Sequence, residues 1–117
     1  MLTVTASQFA ALSRCEAQKF EDWTLVHLRK FFPGECSTLG ERRVRESIRH
    51  GIRRAAYYGI SARRDVCKYI DLMIVFGRDY DADKRFRWAG EILRRGGQPA
   101  ATMQTLLWQA KLRLRKR

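Results

Sequence analysis

Apolar residues recur at steps of three and four along most of this chain, the spacing of one helix face. The first run, Phe9, Leu12, Phe20, Trp23, His27 and Phe31, predicts a helix from about Ala6 to Phe32. Thr5 with Gln8 makes a capping box at its start, and Pro33-Gly34 ends it. Glu16 and Lys19 interrupt the stripe, so its first half is expected to pack less completely. Val44, Ile48, Ile52 and Ala55 predict a second helix, from about Leu39 to Tyr58. Thr38 and Glu41 read as its capping box and Gly59 as its left-handed C-cap. A third helix, Ser61 to Phe76, has Ser61 as N-cap and Gly77 as its stop. Its residues Val66, Cys67, Tyr69, Ile70, Leu72, Met73, Ile74 and Phe76 leave only Arg64, Lys68 and Asp71 as a polar strip. A helix apolar nearly all round belongs in a core. A short fourth helix runs from about Asp83 to Arg95 and stops at Gly96-Gly97. The fifth begins at Pro99, a good first helical position, and runs towards Arg113 with Met103, Leu106, Leu107, Ala110 and Leu114 facing the core. The expectation is an all-α fold: residues 1–117 as one compact bundle of about five helices, with Ser61–Phe76 as its central buried helix.

Composition supports a folded chain. Apolar residues at 45% against charged residues at 31% describe a globular protein rather than a disordered one. A chain of 117 residues buries roughly two thirds of its unfolded surface, so it needs no metal or disulfide to hold a core. Cys15, Cys36 and Cys67 are odd in number and far apart, which argues against a disulfide framework and a zinc site. All three are expected to act as small buried apolar residues. The N-terminus, Met1-Leu2-Thr3-Val4-Thr5, has no basic stretch followed by an apolar run, so no signal peptide is expected. The longest apolar run, Leu72–Phe76, is far short of a membrane span. A cytoplasmic protein is expected.

The net charge of +12 changes the picture more than anything else in the composition, because it implies an anionic partner or a solubility device. Arg42, Arg45, Arg49 and Arg53 form a stripe opposite the apolar face of the second helix. They are either a solvated face paired with Glu41 and Glu46 or a docking face for an acidic segment. Arg makes up 18 of the 24 basic residues and suits bidentate carboxylate pairing, although it suits phosphate equally. Tyr57, beside a buried Tyr58, and Trp108 with Leu112 point away from their helices' core stripes. Either the bundle covers both faces or these aromatics, set among basic residues, are exposed anchors of the kind interfaces use. Arg42, Arg45, Arg49, Arg53, Tyr57 and Trp108 are therefore the candidate partner-binding residues.

Other chemistry is thinly represented. Asp79, Asp81 and Asp83 begin like a calcium loop, but Lys84 stands where glycine is needed and Gly90 where the closing glutamate belongs. They read better as a capped loop near local arginines. His27 and His50 have no nucleophile or carboxylate at triad spacing. There is no Gly-rich phosphate loop and no metal motif. No catalytic residue, metal or cofactor is expected.

One stretch carries a resemblance. Tyr58-Gly59-Ile60, Asp65-Val66, Tyr69-Ile70-Asp71-Leu72-Met73, Phe76-Gly77, Asp79, Asp81, Trp88-Ala89 and Ile92-Leu93 resemble the signature of small helical bacterial proteins encoded beside type VI secretion effectors. The upstream segment from Leu28 to Arg54 looks like that family's upstream region, a long helix followed by a Phe-Pro and a basic helix. Where the family has prolines before the Trp, this chain has Lys84 and Arg87. The resemblance implies a non-enzymatic adaptor or co-chaperone that binds an effector's chaperone, or the effector itself, before export. The partner would engage through an acidic or flexible tail, and nucleic acid would bind only non-specifically. A basic nucleic-acid-binding module is the first alternative. An immunity protein to a neighbouring toxin is the second, although immunity proteins to nucleases are often acidic.

Overall fold

The computed structural model describes the backbone of residues 6–115 and the side chains of residues 14–115. The Thr5–Gln8 capping box, the terminal segment Met1–Thr5 and the side chains of Phe9 and Leu12 lie outside the described residues. The protein is all-α. Six α-helices and one 3-10 turn make up its regular structure, with no strand among the described residues. The helices are α1 (Ala6–Phe31), α2 (Pro33–Leu39), α3 (Glu41–Tyr57), α4 (Arg63–Phe76), α5 (Arg87–Arg95) and α6 (Pro99–Arg115), with the 3-10 turn at Lys84–Phe86. Packing divides the chain within α3, into a unit of residues 1–45 and a unit of residues 46–117.

In the first unit, Pro33 ends α1 as expected, because the residue before a proline is pushed out of the helical region. Pro33 also opens a helix of its own. It sits at the first position of α2, where its missing N–H would have had no partner in any case. That short helix was not foreseen, and it displaces the expected capping box. The Thr38 hydroxyl donates to the carbonyl of Gly34 within α2 and does not cap α3. The chain turns instead at Gly40, whose φ of 85° lies in the left-handed region that favours glycine. The Gly40 carbonyl then accepts from Val44 N–H at 3.1 Å to begin α3.

The core face of α1 differs from the expected one. Thr24, Leu25 and Leu28 are buried with Glu21, while Trp23 and Phe31 are exposed and Phe20 and His27 half-buried. Thr24 can be buried because its hydroxyl donates to the Phe20 carbonyl at 2.7 Å and needs no other partner.

In the second unit, α3 closes as the sequence predicts. Gly59 is left-handed at φ 79°, Ile60 N–H donates to the Ala55 carbonyl, and Gly59 N–H donates to the Ala56 carbonyl. These are the two bonds of a Schellman motif, and Ile60 is buried as its apolar partner. Ser61 does not cap the next helix. Ala62 occupies that position, extended and without a side-chain bond, because Ile60 must first reach the core. Eight of the 14 residues of α4 are buried, more than in any other described element. Its open strip contains Arg64, Lys68 and Asp71, as expected, and continues to Val75.

Helix α3 approaches α4 closely at Gly51. A Cβ there would stand 2.6 Å from Cγ1 of Ile70 and 2.7 Å from Sδ of Met73. Helix α6 packs on α4 and α5 through Met103, Leu106 and Ala110. Leu107 is half-buried and Leu114 exposed, against expectation. Near the end of α6 the Arg113 guanidinium lies 4.7 Å from the ring centroid of Trp88, at the start of α5.

Ile70→Ala should cost roughly 2–5 kcal/mol, from lost transfer energy plus the cavity left behind. Gly51→Ala should be destabilising by about 1–3 kcal/mol despite the better helix propensity of alanine, because its methyl has no room. Urea unfolding monitored by circular dichroism measures both. An unchanged midpoint for Ile70→Ala would remove α4 from the core.

Candidate interaction surfaces

The acidic loop after α4 does not gather its carboxylates around one centre. Asp83 accepts the Arg85 backbone N–H at 2.9 Å, capping the 3-10 turn, and pairs with the Arg85 guanidinium at 2.8 Å. That guanidinium holds the Asp83 carboxyl below its ordinary pKa. Oδ1 of Asp79 lies 3.0 Å from Nε2 of His50. Asp81 turns inward and is buried. Its Oδ2 accepts from Arg54 Nε at 2.9 Å, from Arg54 Nη2 at 2.5 Å and from the Tyr58 hydroxyl at 2.8 Å. Local arginines were expected around this loop. Asp83 has one, but the partner of Asp81 comes from 27 residues away.

Arg54 is also stacked. Its guanidinium lies 4.7 Å from the Tyr57 ring centroid and 5.4 Å from that of Tyr58. Behind this clamp, Tyr58, Tyr69 and Tyr80 form a chain of ring contacts at 6.5 and 5.2 Å. The Tyr80 hydroxyl donates to the Tyr69 carbonyl. Burial raises the pKa of all three tyrosines, and the nearby Asp81 charge adds to the shift.

The arginine stripe is less uniform than its spacing suggests. Arg42 and Arg45 fall in the first unit, Arg49 and Arg53 in the second. Arg45 is committed within its own unit. It pairs with Glu21 at 2.5 Å, Asp22 at 2.8 Å and Glu41 at 3.6 Å, and it lowers the Asp22 pKa through that hydrogen bond. Glu41 also pairs with Arg29 at 2.8 Å. Arg42 and Arg49 are exposed, and neither is free of interactions within the chain. Arg53 is exposed and has no ion-pair partner among the described residues. One turn on, Tyr57 is 73% exposed, its ring held by Arg54. The structure therefore brings Arg53 and Tyr57 together as an open pair. Trp108 stands on α6 and is 61% exposed.

The surface that sequence reading assigned to the core lies on α1. Phe20, Trp23, His27 and Phe31 stack on one another along the helix, with ring centroids 6.3, 5.5 and 4.9 Å apart. Trp23 is 55% exposed, Phe31 59% and the neighbouring Val26 65%. The signal was present in the sequence. Leu25 and Leu28 form a second apolar stripe roughly a third of a turn from the aromatic one, and α1 buries only that second stripe.

Cys15 is exposed, against the expectation of burial, while Cys36 and Cys67 are buried. Burial pushes the Cys67 thiol up to about 11, with Asp71 next in effect. No described helix is long and apolar enough to cross a membrane. The charge is unevenly placed. Residues 46–117 hold 17 of the 24 Lys and Arg but only seven of the 12 Asp and Glu. No protein-family model, curated protein or solved structure matches the chain.

Replacing Arg54 with Met leaves the buried Asp81 charge without its partner. The expected cost is about 3 kcal/mol, at the low end for a broken buried pair because the Arg54 side chain is 32% exposed. Denaturant titration measures it, and a cost under about 1 kcal/mol, as for an ordinary surface pair, would show that the clamp does not hold the loop.

The tyrosines set an alkaline limit. Folding raises their pKa above the unfolded value of about 10, so their contribution is complete below that pH. It is lost as pH rises through the higher folded values. Stability measured between about pH 8 and pH 12 should fall above about pH 10, and Tyr58→Phe should soften the fall.

Proposed function

We propose that the chain is a non-enzymatic adaptor that binds a type VI secretion effector, or that effector's chaperone, in the cytoplasm before export. The observation that carries a protein-binding role is the aromatic ladder of α1. Exposed apolar area costs roughly 25 cal/mol per Å² relative to burial, and contiguous exposed patches mark interaction sites. Trp23, Phe31 and Val26 present such a patch in register along one helix. The signature shared with type VI secretion-associated proteins, from Tyr58 to Leu93, supports the choice of partner.

A second contact is offered by Arg53 and Tyr57. The Tyr57 ring stacks on Arg54, which is itself held by Asp81. A preformed aromatic loses little entropy on binding. An acidic tail would place carboxylates on Arg53 and an apolar side chain on the Tyr57 ring. Arg42 and Arg49 would add attraction at longer range, while Arg45 is occupied by Glu21 and Asp22.

Calorimetry of the chain with the chaperone and effector encoded beside it tests the reading. Trp23→Ser with Phe31→Ser should weaken binding at least tenfold, about 1.4 kcal/mol, with the circular dichroism spectrum unchanged. Arg53→Glu should mainly slow association. If neither co-encoded protein binds the wild-type chain, the adaptor reading fails.

A further inference from the structure

The outer face of α6 has a character different from the rest of the molecule. Thr102, Met103, Leu106 and Ala110 are buried on its inner side. Opposite them stand Gln104, Trp108, Lys111 and Arg115, all exposed and spaced by four, three and four residues, so they share one face. Helix α6 contains no acidic residue. Lys111 and Arg115 have no ion-pair partner among the described residues. Favourable placement of cations at a helix C-terminus explains their charge. It does not explain an exposed indole one turn before them.

We propose that this face binds single-stranded nucleic acid without sequence preference, with Trp108 stacking on a base and Lys111 and Arg115 receiving backbone phosphates. Charge complementarity favours a polyanion, since residues 46–117 carry 17 basic against seven acidic side chains. The exposed indole selects among polyanions. A duplex keeps the faces of its bases stacked inside, whereas a single strand offers them to an aromatic platform. A membrane surface would call for a broad apolar face. Here Trp108 is flanked by polar and charged residues, with only half-buried Leu112 beside it.

Fluorescence anisotropy of the full chain with labelled oligo(dT), and with a duplex of equal charge, tests the proposal at about 50 and 200 mM salt. Oligo(dT) should bind more tightly than the duplex. Trp108→Ala should weaken oligo(dT) binding about tenfold, and Trp108→Phe, which keeps a stacking ring, should restore most of it. Lys111→Gln with Arg115→Gln should reduce the slope of log affinity against log salt by roughly 1.4. Equal binding by Trp108→Ala, a preference for duplex, or equal competition by polyglutamate of matched charge would each overturn the assignment. Lys111→Gln with Arg115→Gln should leave affinity for the protein partner unchanged, so this proposal and the adaptor reading can fail separately.

Discussion

One carboxylate oxygen, Oδ2 of Asp81, receives two N–H groups from Arg54 and the hydroxyl of Tyr58. That convergence fastens the loop after α4 to the end of α3. A buried carboxylate is tolerated only when a charged partner offsets its desolvation, so the path of residues 77–83 depends on Arg54 being where it is. The consequences spread both ways. Inward, the clamp sits on the tyrosine chain of Tyr58, Tyr69 and Tyr80. Outward, the same guanidinium stacks on Tyr57 and holds an exposed ring still. A buried ion pair and an exposed aromatic anchor are thus two faces of one arginine.

The two units use charge in contrasting ways. In residues 1–45 the acidic and basic side chains find one another, with Arg45 joined to Glu21, Asp22 and Glu41, and Arg29 to Glu41. The exposed chemistry of α1 is aromatic. In residues 46–117 basic groups outnumber acidic ones, and two carboxylates of the acidic loop are consumed by Arg54 and Arg85. Arg53, Lys111 and Arg115 have no ion-pair partner among the described residues. An apolar ladder suits a protein partner, whereas unpaired cations around an indole suit a polyanion. The two proposed activities follow from that division.

Most of the residues on which the proposed link to type VI secretion rests hold the second unit together. Tyr58 and Asp81 are in the clamp, Gly59 and Ile60 make the Schellman motif, and Tyr69, Ile70 and Met73 are buried. Of the proposed contacts, Arg53 and Tyr57 flank Arg54 of the clamp in sequence, and those on α1 belong to the first unit.

The all-α class, the bounds of α1, α4 and α6 to within two residues, the stop at Gly59 and the burial of Val66, Ile70, Met73 and Phe76 were legible in the sequence. These depend on local periodicity and on the few residues that tolerate a left-handed turn. That Tyr57 and Trp108 lie off their helices' apolar stripes was legible for the same reason, but only the structure shows that nothing described covers them. Other features depended on geometry between residues distant in sequence. Which of the two apolar stripes of α1 is buried could not be read from spacing, because both have helical period and the choice rests on what packs against them. The helix at Pro33 and the loss of Ser61 as a cap followed from how the chain had to turn and where Ile60 had to go. The pairing of Asp81 with Arg54 spans 27 residues, and nothing local distinguishes that aspartate from Asp79 or Asp83. Sequence pattern determined most of the helices and the inner face of α4. Tertiary structure alone decided which charges are consumed inside and which aromatic surfaces remain open, because both depend on three-dimensional proximity that periodicity does not encode.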